Sequence, residues 1–81
     1  MINARQIRAA RALLGISQTE LAVSSGCGVA TIRRIEAAGD EPIGTVKSLS
    51  RMKKALEASG VVFIEQNETH GPGVQLRKPL P

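Results

Sequence analysis

The residues of this chain best suited to recognising another molecule are two adjacent arginines, Arg33 and Arg34. A guanidinium is planar and always charged, and its fork of donors matches the two acceptors on a guanine edge or a phosphate. Taken alone, such a pair on an exposed helix is better read as a solvated basic patch, so the surrounding residues have to decide. Lys47 carries the same pair of readings, phosphate contact or plain solubility, and is kept as a candidate DNA contact. The nucleophilic and metal-binding residue types are sparse. Cys27 and His70 are the only members of their kinds, and a structural zinc site needs four ligands, so no metal site is expected. Pairing the two as nucleophile and base rests on composition alone. Cys27 is read as a small, half-buried turn residue rather than a redox switch. Gly71 and Gly73 lack the following Lys-Ser/Thr and helix of a phosphate loop. No catalytic set emerges, and neither enzyme activity nor a cofactor is expected.

Composition narrows the partners. An 81-residue chain makes one domain with a thin core, since a chain of this order buries roughly 60% of its unfolded surface. Phe63 is the only aromatic residue, so the core must be aliphatic, and the stacking platforms of single-strand and RNA-binding sheets are missing. The net charge of +4 fits a polyanionic partner without establishing one. The apolar runs are too short to span a bilayer and no signal-peptide core is present. With a single cysteine, a reducing cytoplasm is the expected location.

Behind these residues stands a helical pattern. Residues 3–14 read as an amphipathic helix with Ile7, Ala10, Leu13 and Leu14 inward, Asn3 as N-cap and Gly15 as stop. Arg5 and Arg8 read as solvated helix charge. Ser17 and Glu20 form an S-x-x-E capping box for a second helix, which Gly26 and Gly28 interrupt. A third helix runs from Val29 to about Ala38, and Gly39-Asp40-Glu41-Pro42 has turn chemistry. A fourth spans about Thr45 to Ser59, with Val46, Leu49, Met52 and Leu56 as its inner stripe and Gly60 ending it. Val61-Val62-Phe63-Ile64 then suits a strand. Gly71-Pro72-Gly73 is a turn signal, and Val74-Gln75-Leu76-Arg77 alternates as a returning strand.

The segment from Gln18 to Glu36 carries the function. Ala22 is small where two helices would cross closely, and Gly26 sits where the turn between them needs positive φ. Leu21, Ile32 and Ile35 fill the interior of the pair, which leaves the outer face of the second helix free to enter a major groove. Gln18, Leu21, Ala22, Gly26, Thr31, Ile32, Arg34, Ile35 and Glu36 resemble, in register and without gaps, the lambda-repressor-like (Xre-type) helix-turn-helix family. The resemblance covers about residues 3–59. The phrase from Ala55 to Phe63 also looks like a subgroup of short regulators in which a strand pair replaces the fifth helix.

This resemblance implies that Gly28, Val29, Ala30, Thr31, Arg33 and Arg34 lie in the major groove, and that Gln18 bonds a phosphate. It also implies an ion pair between Arg11 and Glu36. Two departures bear on readout. The cap of the third helix is Gly28 where the family commonly has Ser or Thr, and Val29 and Ala30 stand where polar residues are usual. Thymine-methyl contact is therefore expected at the helix tip, and hydrogen-bonded readout falls to Arg33 and Arg34.

The fold expected is mainly α: a four-helix lambda-repressor-like DNA-binding domain over residues 1–60, with a small C-terminal β-hairpin and tail over residues 61–81. The function expected is a sequence-specific duplex-DNA-binding transcription regulator, a repressor acting as a homodimer. Val61, Phe63, Val74 and Leu76 are assigned to the dimer contact, with packing of the hairpin on helices 1 and 4 as the other outcome. The alternative is an antitoxin or anti-activator that binds a protein partner through its tail.

Overall fold

A computed structural model describes residues 2–39 and 44–80. The chain forms α1 (Ala4–Leu14), α2 (Gln18–Ser25), α3 (Val29–Glu36), α4 (Val46–Ala58), β1 (Val61–Ile64) and β2 (Gly73–Leu76). Residues 40–42, expected to form a turn, lie outside the described residues.

Local chemistry sets most boundaries. Asn3 accepts from the Gln6 N–H at 2.8 Å while the Gln6 side chain accepts from the Asn3 N–H, which closes a capping box on α1. Ser17 and Glu20 do the same for α2, at 3.0 and 3.1 Å. Thr45 caps α4 by accepting from the Ser48 N–H. α2 ends at Gly26, whose φ of 74° lies in the left-handed region that a side chain would penalise.

Ile7, Leu21, Ile32, Ile35, Met52, Leu56 and Val61 are fully buried and form a single aliphatic core. Two expected members are absent from it. Leu13 is exposed, and Val46 is 68% exposed. At 100° per residue Leu13 points roughly 90° away from the mean direction of Ile7, Ala10 and Leu14. Val46 stands in the first turn of α4, where side chains lean back toward the N-terminus and off the end of the core.

β1 and β2 pair antiparallel with Val61 opposite Leu76 and Phe63 opposite Val74. The bend between them is organised by Asn67, whose Oδ1 accepts from the Thr69 and His70 N–H groups, rather than by Gly71–Gly73. β1 rests on α4 and β2 on α1 of the same chain. Gln6 fastens the open end of this contact: its Nε2 donates to the Ile64 and Gly73 carbonyls at 3.2 and 3.0 Å. The helices and the hairpin therefore differ in secondary structure but share one core. Among the described residues no helix is long and apolar enough to cross a membrane.

Candidate nucleic-acid interface

α3 has two unlike faces. Ile32, Ile35 and Glu36 are buried, whereas Ala30, Arg33 and Arg34 are exposed, with Val29 and Thr31 half-buried between them. Residues 30, 33 and 34 fall on one side of a helix with 3.6 residues per turn, so methyl and guanidinium groups share the outward stripe. Gly28 is the N-cap of α3 and supplies no side-chain cap. The backbone N–H groups of the first turn consequently meet whatever lies at the tip of the helix, which also bears the positive end of its dipole.

The inward face is locked by a network centred on Glu36. Arg11 Nε donates to Glu36 Oε2 and Arg11 Nη2 to Oε1, both at 2.7 Å, a bidentate fork. Arg11 Nη1 reaches the Ile16 carbonyl at 3.1 Å, and Arg8 Nη1 donates to the Glu36 carbonyl. Hydrogen bonding to Glu36 raises the Arg11 pKa above its ordinary value, against the opposing effect of burial. Arg11 thereby ties α1, the loop after it and α3 together, which fixes the axis of α3 relative to the rest of the domain.

Gln18, for which the family resemblance implies a phosphate contact, directs its side chain into this network. Its Nε2 donates to Glu36 Oε1 at 3.2 Å. Lys47 is exposed on the first turn of α4. That turn packs against the segment leading into α3, where the Cys27 Sγ lies 3.7 Å from the Ser48 carbonyl. Cys27 is buried rather than half-buried, and holds the entry to α3 against α4. His70 sits in the exposed hairpin loop, with Nδ1 2.8 Å from Thr69 Oγ1. Among the described residues no group of three or more His, Cys, Asp or Glu could hold a metal ion.

Two residues missed in the sequence reading support this arrangement. Arg8, read as solvated charge, bonds the C-terminal end of α3; its place three residues before Arg11, on the same side of α1, was the available signal. Gln6 is buried, and its spacing of four residues from Ala10 marks it as part of the inner flank.

The packing of α2 and α3 about Leu21, Ile32 and Ile35, with a left-handed glycine between them, is a helix-turn-helix. Residues 7–61 match the helix-turn-helix family model, which covers more than half of the chain. The chain belongs to the lambda-repressor (Xre) type of helix-turn-helix family. A helix-turn-helix domain of this type is that of a DNA-binding transcription regulator. A comparison with curated proteins gives no significant match.

Proposed function

We infer that this helix-turn-helix protein reads specific duplex sequences with α3, acts as a homodimer on two half-sites, and represses transcription by occluding a promoter. One observation carries the reading: Arg33 and Arg34 stand outward on α3 while Ile32, Ile35 and the Glu36 network hold its other face. The helix can thus present two guanidinium forks to base edges without moving any core group. Ala30 and Val29 would offer methyl contact at the tip, and Lys47, exposed beside the entry to α3, would meet a flanking phosphate. The partner-binding alternative depended on residues 61–81 forming an added tail. Because Gln6 and the inward hairpin residues join that segment to α1 and α4, DNA reading is the better supported function.

Selection of bound duplexes from a random library tests the reading, and an enriched palindrome is expected. On the selected site Arg34→Ala should cost about 1–3 kcal/mol and relax preference at one base pair. Uniform loss across all sequences would demote Arg34 to a phosphate contact.

A further inference from the structure

The hairpin residues assigned to a dimer contact are occupied within the chain. Val61 is 2% exposed, and Phe63, Val74 and Leu76 pack against the same core. What remains outward on β1 is the opposite set, Val62 and Ile64, which are 38% and 42% exposed. These are large β-branched side chains on a strand whose second edge pairs with no other strand among the described residues. The Arg77 N–H donates to the Gly60 carbonyl at 2.9 Å, and facing residues of an antiparallel ladder alternate between bonded and non-bonded pairs. Gly60, Val62 and Ile64 therefore bond toward β2. Phe63 turns its N–H and C=O to the outer side of β1.

An open strand edge is matched by one chemistry, a second extended backbone. We propose that the occupant is β1 of a second copy of this chain, paired antiparallel across a two-fold axis at Phe63. The result is a four-stranded sheet shared by two protomers. The proposal rests on the DNA reading above, in which two copies of α3 serve two half-sites.

The register argues for a second copy. About an axis at Phe63, the two Phe63 residues face each other and exchange both backbone bonds. Val62 faces Ile64 of the other copy, so the two outward apolar residues become cross-strand partners. Glu65 faces Val61, and Gly60 faces Gln66, so no charge is set directly opposite a like charge. The groove beside Phe63 is lined by Glu57, Glu65 and Lys53 together with Asn3 and Gln6, two carboxylates to one ammonium. That balance disfavours a polyanion at this edge and leaves the basic α3 face for DNA. An isolated two-stranded hairpin is only marginally stable, and doubling the strands closes its open edge. Because the inner faces are already packed, the association requires no refolding of either copy.

Sedimentation of the full chain across the micromolar range tests the proposal, together with amide exchange at Phe63. The wild-type chain should be dimeric, with Phe63 exchange slowing as protein concentration rises. Val62→Lys and Ile64→Lys should each give monomers with unchanged far-UV circular dichroism, since both side chains leave the outer face. Ile64→Val should remain dimeric. A wild-type chain that is monomeric throughout, or a dimer indifferent to both lysine substitutions, overturns the proposal. The two readings fail separately. A lysine-sensitive dimer that treats all duplexes alike supports this interface and removes sequence-specific reading. A dimer that is indifferent to both lysine substitutions and still selects a palindrome removes this interface alone.

Discussion

Glu36 is the residue on which the interface depends most, because its carboxylate is shared by Arg11 and Gln18 while its carbonyl is held by Arg8. Removing one member of a fully buried ion pair costs ~3–5 kcal/mol, since the partner is left charged and unpaired. Here the Glu36 side chain is 4% exposed but that of Arg11 is 20% exposed, so water can partly solvate the survivor. Glu36→Gln should therefore destabilise by less than that range. A double-mutant cycle with Arg11→Met should still give a coupling of at least about 0.5 kcal/mol in thermal or urea unfolding. Additive losses would mean that each residue acts through other neighbours. Gly28 gives a prediction of the opposite sign. Its φ of −68° and ψ of 146° suit any residue, and an added Cβ would meet only Thr31 Oγ1, at 4.0 Å. Gly28→Ser should supply the missing cap and stabilise by a few tenths to about 1 kcal/mol. Gly28→Asp should stabilise similarly yet weaken duplex binding, because its carboxylate would face phosphates. Paired thermal melts and duplex titrations would show whether stability and affinity part in this way.

Among the elements, the hairpin is held to the helices by its apolar inner face, by Arg77 Nη2 donating to the Glu57 carbonyl at 2.9 Å, and at its open end by Gln6. Gln6 Nε2 bonds both the Ile64 and the Gly73 carbonyl, at the point where β1 ends and β2 begins. Gln6→Leu should cost about 1–3 kcal/mol, the price of leaving buried acceptors with fewer donors. Amide exchange should accelerate first in β1 and β2 and only later in α2 and α3; uniform acceleration would show that Gln6 serves the whole core. The elements themselves were legible in the sequence where their signals are local. Asn3, Ser17 with Glu20, Gly15 and Gly26 fix helix ends through bonds to near neighbours, and each acts at its expected boundary. Side-chain burial was less legible, because it depends on what covers a face. Gln6 and Leu13 lie on the same flank of α1, yet the hairpin covers Gln6 and leaves Leu13 exposed. The period of two correctly groups Val61, Phe63, Val74 and Leu76 on one face of the sheet. It carries no information on whether that face meets its own helices or another chain. Gln18 illustrates the same limit at the interface, since its contact with Glu36 joins residues distant in sequence.

For the whole molecule the decisive quantity is how charge is distributed between the α3 face and the β1 edge. The net +4 includes an Arg11–Glu36 pair that cancels internally, while Arg33, Arg34 and Lys47 are exposed around the entry to α3 and along it. The edge of β1, by contrast, borders two carboxylates, Glu57 and Glu65, and one ammonium, Lys53. This division predicts how salt acts on each association. Every phosphate neutralised adds about −0.9 to the slope of log affinity against log salt, so two copies making ~6–10 contacts should give a steep line. The edge contact between copies buries Val62 and Ile64 and should respond weakly to salt. Ile64→Lys then separates the two terms, because it adds a cation while removing the second copy. If affinity followed net positive charge alone, this variant would bind duplex more tightly and with a steeper salt slope. If two copies read two half-sites, it should bind the selected palindrome more weakly, with the slope roughly halved because one copy contributes half the phosphate contacts. Titrations of one duplex at several salt concentrations, with both proteins, distinguish these outcomes directly. A variant slope equal to or steeper than that of the wild-type chain would mean that binding counts charges rather than half-sites.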